Sequence, residues 1–193
     1  MPKYIVAITG ASGIIYGVRI TEVLLAQGYE VHLVVSEPGC IVMKQEMGWE
    51  LGEYPQESLR QYFPQPGLYL YNNADIAARL ASGSFITEGM VIVPCTMSTV
   101  AAVANGLSNN LIERTADVML KERRPLIIVP RETPLSVIHL RNLLRLAEMG
   151  VAIVPAMPGF YHHPRNIDEM VSFMVGKILD IMRIPNDSFQ RYE

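Results

Sequence analysis

Tyr4-Ile-Val-Ala-Ile-Thr9-Gly10-Ala11-Ser12-Gly13-Ile14-Ile15-Tyr16-Gly17 is the stretch whose reading decides the fold. A short, nearly continuous apolar run ends in a turn of small residues, and the turn opens onto a helical segment, Ile14–Gln27. Such a run suits a strand buried on both faces. The pattern recurs at Glu30–Val35, Met90–Val93, Leu126–Val129 and Val151–Val154. Helical segments are expected at Gly39–Met47, Asp75–Ala81, Thr99–Asn105, Leu111–Glu122, Leu135–Glu148 and Ile167–Met182. Strand alternating with helix implies a parallel sheet with right-handed crossovers. The expected fold is therefore a flavodoxin-like (Rossmann-like) three-layer α/β fold. Its five strands take the order 2-1-3-4-5, and a ligand belongs at the switch point beside the first strand.

The chain has 193 residues, which suits one domain over 1–193. Residues 48–74 form an irregular excursion with four tyrosines (Tyr54, Tyr62, Tyr69, Tyr71) and a possible short edge element, and residues 183–193 read as a tail. Half of all residues are hydrophobic, and the mean hydropathy is +0.21. Surplus apolar surface in one small domain implies a homo-oligomer. The net charge of −3 and the lack of basic runs exclude a nucleic-acid or anionic-membrane partner as an expectation. Cys40 and Cys95 make no CxxC pair, the N-terminus lacks a signal-peptide pattern, and Met90–Ala104 is too short to span a bilayer. The expected place is the cytoplasm.

Three strands end in proline: Val-Ile-Val-Pro94, Ile-Ile-Val-Pro130 and Ala-Ile-Val-Pro155. Proline donates no ladder hydrogen bond, so each strand should stop there and turn into a loop at the carboxyl edge. The glycine turn can bring backbone against a ligand, with the helix amides favouring an anion; it serves equally as a tight turn packed for its own sake. It is not the dinucleotide fingerprint, which needs glycine at positions 12 and 15. Nor is it a short-chain dehydrogenase, since no tyrosine is followed by lysine four residues later. Ser36 and the run Thr96-Met97-Ser98-Thr99 put hydroxyls at helix starts, where they make a nest for a phosphate or heterocycle, or act as plain caps. Arg131-Glu132 at a strand end pairs a phosphate-binding fork with a proton carrier, or forms a surface ion pair. Tyr161 offers a phenol at the same edge. Arg114 and Lys121 read equally as dipole-favoured cations. No cluster suits a metal.

In order and spacing, Gly10-Ala-Ser-Gly-Ile-Ile-Tyr-Gly17, Arg114-Thr-Ala-Asp-Val-Met-Leu-Lys-Glu-Arg-Arg-Pro125, Arg131-Glu-Thr-Pro134 and Pro158-Gly-Phe-Tyr-His-His-Pro164 resemble the UbiX-type flavin prenyltransferases over essentially the whole chain. The resemblance implies a metal-independent dodecamer that binds FMN. Such enzymes join the dimethylallyl group of dimethylallyl phosphate to N5 and C6 of reduced FMN, and the prenylated FMN serves a UbiD-type decarboxylase. By position, Gly10, Ala11, Ser12, Ser36, Thr96, Met97, Ser98, Thr99 and Arg131 would hold FMN. Tyr161 and Lys177 would bind the allylic phosphate, with Lys121 and Arg114 contributing across a subunit interface. Ser12, Glu46 and Glu132 would stand at the reacting centre. Lys177 replaces an arginine found in some relatives, a point charge in place of a bidentate fork. Two other readings share the flavin site: an FMN-dependent cysteine decarboxylase, and a non-catalytic flavin-binding subunit of a decarboxylase.

Overall fold

The computed structural model describes residues 1–52, 55–189 and 191, so Tyr54 and the last two positions of the tail lie outside the described residues. Six strands form one parallel sheet: β1 (Lys3–Ile8), β2 (Glu30–Val35), β3 (Leu68–Asn72), β4 (Gly89–Cys95), β5 (Leu126–Pro130) and β6 (Ala152–Ile153). Their order is β3-β2-β1-β4-β5-β6. Without β3 this is the expected 2-1-3-4-5, and β3 is the edge element inside the excursion. It runs parallel to β2, from Val31 opposite Leu68 to Val35 opposite Asn72.

Successive side chains of a strand face opposite ways, which divides the core in two. Val6, Ile8, Val91 and Val93 point to one face, under α1 (Ile14–Ala26), α2 (Glu37–Met47) and α7 (Ile167–Ile181). Ile5, Ala7, Ile92 and Ile128 point to the other, under α4 (Met97–Ala104), α5 (Leu111–Lys121) and α6 (Val137–Glu148). The short α3 (Pro55–Leu59) belongs to the excursion.

Three expectations need correction. The helix expected at Asp75–Ala81 is only a tight turn at Arg79–Ala81. Asp75 and Asn72 bond local backbone amides there, the competition that keeps such residues out of helices. One strand also runs past its proline: β4 continues through Pro94 to Cys95, whereas β5 ends at Pro130 as expected. The ladder shifts register between Ile92 and Cys95, an irregularity that accommodates a residue without an N–H. Finally, β6 covers only Ala152–Ile153 of the expected Val151–Val154.

Candidate active site at the carboxyl edge

Hydrogen bonds tie the strand ends into one line. Ser36 N–H donates to Ile8 O (3.0 Å), Arg131 N–H to Cys95 O (3.3 Å), and Ala156 N–H to Pro130 O (3.1 Å). Thr9, which the sequence reading passed over, is the rivet between β1 and β4. Its buried hydroxyl donates to Pro94 O (2.9 Å) and accepts from Thr96 N–H (2.9 Å). The signal was a hydroxyl residue just ahead of the glycine turn. The tips of β2, β1, β4, β5 and β6 thus stand side by side, and they carry Ser36, Gly10 to Ser12, Thr96 to Thr99, Arg131 and Glu132. Tyr161 follows on the loop after β6.

The glycines of the first turn are needed by the protein itself. A Cβ on Gly10 would collide with Pro38 at the start of α2, and one on Gly17 with Val93 O and Ile8. Gly13 sits at φ 99°, where a side chain is strained. The amides opening α1 already have an anionic partner. Glu46, at the far end of α2, accepts from Gly13 N–H (3.0 Å) and Ile14 N–H (3.0 Å). A carboxylate on a helix N-terminus is favoured by the dipole, so the anion expected at this turn is the chain's own. The same charge, after burial, raises the Tyr16 phenol. Ser12, which precedes Gly13 in the turn, remains exposed.

Ser36 and Thr96 are caps: Ser36 Oγ accepts from Gly39 N–H (3.1 Å) and Thr96 Oγ1 from Thr99 N–H (3.2 Å). Each hydroxyl keeps a proton to donate. The Thr96 and Thr99 hydroxyls lie 3.0 Å apart, while Met97 is buried and Ser98 exposed. Cys95 is wholly buried, and burial pushes its thiol far above the ordinary range, which removes it as a nucleophile.

Arg131 and Glu132 line a cavity of about 260 Å³ with Pro155, Ala156 and Met157. Arg131 Nε is buried without a hydrogen-bond partner, a cost sustained when a bound group completes the set. Glu132 is exposed, and its carboxylate accepts from Thr133 N–H (3.0 Å). Tyr161 stands edge-on to Phe173 (5.6 Å between centroids), and Phe173 stacks on His162 (4.9 Å, 6°). Both His162 ring nitrogens are buried without a hydrogen-bond partner, a feature with no sequence signal beyond the neighbouring tyrosine.

The remaining cations lie elsewhere. Arg114 is exposed in the first turn of α5, whose leading amides are bonded by Asn73 beyond the end of β3. Lys177 is exposed well along α7 as that helix leaves the edge. Lys121 ends α5 at the opposite edge of the sheet, beside a larger groove of about 1000 Å³ lined by Gly89, Leu126 and Val151, which begin or precede strands. Strand-end hydroxyls, an orphaned guanidinium nitrogen and an adjoining cavity fit a phosphorylated, hydrogen-bonding heterocycle such as a flavin mononucleotide. Among the described residues, no group of three or more His, Cys, Asp or Glu could hold a metal ion, and no helix is long and apolar enough to cross a membrane.

Residues 1–179 match the Flavoprotein family. The chain is 50% identical to the flavin prenyltransferase UbiX of Alkalihalophilus pseudofirmus, across 97% of this chain and 94% of that one. A crystal structure of a UbiX protein in complex with FMN and dimethylallyl pyrophosphate superposes with a TM-score of 0.90 at 40% identity, covering 100% and 97% of the two chains. A dodecameric FMN-dependent UbiX-like decarboxylase from Escherichia coli gives 0.89 at 40% identity, covering 99% of each.

Proposed function

The chain belongs to the UbiX-type flavin prenyltransferases, within the Flavoprotein family, and on that premise we propose that it joins a dimethylallyl group to reduced FMN. The observation that carries the reading in this molecule is Arg131 Nε, buried and unpartnered at the carboxyl edge among strand-end hydroxyls. Gly10, Ala11, Ser12, Ser36, Thr96 to Thr99 and Arg131 would hold FMN. When bound and reduced, FMN supplies the nucleophilic N5 and C6 that accept the prenyl group.

The protein's own part is to bind, orient and move protons. Breaking the allylic C–O bond leaves negative charge on the departing phosphate, which hydroxyl and cationic donors stabilise. Tyr161 and Lys177 fill that role, joined by Lys121 and Arg114. The position of Lys121 at the far edge of its own sheet supports its arrival from another copy, so a homo-oligomer, a dodecamer like the Escherichia coli relative, completes the site. Glu132, reaching out from the β5 loop, takes up a proton as the new bonds form. Glu46, fixed by the α1 amides, and Ser12 on the same turn would relay a second proton. Residues 1–193 act as one flavin-binding domain in the cytoplasm, and the product serves a UbiD-type decarboxylase.

The test is to supply reduced FMN and dimethylallyl phosphate anaerobically and weigh the extracted flavin. A flavin heavier by one five-carbon unit is expected. Unmodified flavin with bound FMN would favour the non-catalytic subunit, and decarboxylation of a cysteine peptide would favour the cysteine decarboxylase.

A further inference from the structure

The last stretch of chain turns back along α7 and is fastened to it at two places. Arg191 forms a forked pair with Asp180, with Nη2 at 2.7 Å from Oδ1 and Nη1 at 3.0 Å from Oδ2. Asn186 Nδ2 adds a bond to Asp180 Oδ1 (3.0 Å), and Arg191 also donates to Asn186 O (3.2 Å). The second fastening is steric. Gly176 is a buried glycine within α7, and a Cβ there would collide with the Phe189 ring. Glycine inside a helix is disfavoured relative to alanine, so its use here points to the ring it admits. Arg191 also lies over the Phe189 face (5.3 Å).

Phe189 does not end the chain of contacts. Its ring meets Phe173 edge-on (5.1 Å, 68°), Phe173 stacks on His162 and meets Tyr161 edge-on, and Tyr161 also touches His162 (5.7 Å, 79°). Gly159 lets the loop press in, since a Cβ there would lie 3.0 Å from the Tyr161 ring and 3.2 Å from Phe173. Tyr161 itself is 52% exposed and stands on a loop rather than a helix or strand. The stack packs against its ring through His162 and Phe173. Lys177 follows Gly176 directly on α7, and Tyr161 is linked to Phe189 through Phe173.

We infer that the C-terminal residues 184–189 and 191 form a positioning strap for the prenyl-phosphate half of the site. Phe189, seated on Gly176 and locked by the Arg191–Asp180 pair, fixes the aromatic stack that aims Tyr161. Phe189, Gly176, Asp180 and Arg191 are positioning residues and touch no substrate. The inference rests on the prenyltransferase reading for the role of Tyr161, but not for the existence of the strap.

The variants are Arg191→Ala and Asp180→Asn at the surface clasp, Phe189→Ala at the wedge, and the charge-swapped pair Asp180→Arg/Arg191→Asp. Hydrogen exchange over residues 184–189 reads the strap directly, and it should quicken in the first three variants and return toward normal in the swap. Calorimetry with dimethylallyl phosphate on the FMN-loaded protein, and steady-state prenylation, read the site. A displaced positioning group costs on the order of 10- to 100-fold, here in KM for dimethylallyl phosphate, with FMN affinity and thermal midpoint little changed and the swap restoring most of the loss. Faster exchange with unaltered dimethylallyl phosphate binding and KM overturns the inference. So does a loss of FMN affinity and thermal stability in proportion, which would make the strap merely structural. If the wild-type chain makes no prenylated flavin, the functional reading fails, and exchange with calorimetry still decides the strap.

Discussion

Glu132 and Tyr161 stand on loops that leave the sheet beyond β5 and β6, so neither side chain supports the core. Glu132→Gln keeps the shape and removes the basicity, and a lost general base slows a reaction roughly 100- to 10,000-fold. Tyr161→Phe removes one hydroxyl, and losing one donor to a departing oxyanion costs about 2.7–4 kcal/mol of activation energy. Both variants are expected to bind FMN normally and to prenylate it slowly in a single turnover followed by absorbance and product mass. Wild-type rates would remove them from the chemistry; lost FMN binding would recast them as cofactor ligands. These two residues were visible in the sequence because a polar group just past a β-branched run can only sit at the sheet's edge. Glu46 on the α1 amides was not, since nothing in the spacing of residues 13 and 46 announces that α2 lies across the mouth of α1. The purpose of Gly10 was likewise hidden: its neighbour is Pro38, a contact made by folding.

At the scale of elements, hydroxyl and amide side chains fix the helix starts; the sequence reading placed those of α5 and α7 and missed those of α2, α4 and α6 by two residues. Ser36, Thr96, Asn110, Ser136 and Asn166 each accept from an amide in the first turn of their helix. β3 was harder to read, because a half-buried edge strand with tyrosines at alternate positions resembles an irregular loop. Its tyrosines have a partner on β2. His32, fully buried, bonds the Tyr71 hydroxyl (2.9 Å) and stacks on Tyr69 (4.9 Å, 13°). Burial, then the charges of Arg79 and Lys3, lowers the imidazole to about 4, outweighing Glu30, whose carboxylate lies 3.8 Å from Nε2. The unfolded chain takes up this proton near 6.5 and the folded one only near 4. The contribution is therefore whole above pH 6.5, falls as pH drops toward 4, and is flat below; it amounts to about 3 kcal/mol. Denaturation midpoints measured from pH 8 to 4 should show that decline in the wild type. A His32→Leu variant should lose this part of the slope, whatever its absolute stability, and an unchanged slope would acquit His32.

At the scale of the whole molecule, the order of five of the six strands was readable from the alternation of strand and helix, and the apolar composition pointed to self-association without saying where. α6 supplies a place. Only Leu146 of its twelve residues is buried, while Val137, Ile138 and Leu144 are each more than half exposed, as are Met157 and Phe160 near the cavity. A helix apolar on its outer face lacks a partner within its own chain. The separation of the proposed phosphate ligands leads to the same need. Glu132 and Tyr161 stand at the carboxyl edge, and Lys121 closes α5 at the opposite one, so one chain cannot bring them to one substrate. Lys121→Ala and Glu132→Gln should each lower prenylation, by roughly 100-fold or more where a charge-stabilising donor or a base is lost. Co-expressed, the two variants would form hybrids in which some sites draw an intact Glu132 from one copy and an intact Lys121 from another. Activity in the mixture should then exceed that of either parent. Were Lys121 to serve its own chain, every hybrid site would lack one group and mixing would restore nothing. Light scattering on the same samples closes the alternative of unassembled chains, because a mass of 21.6 kDa leaves no second copy to supply the lysine.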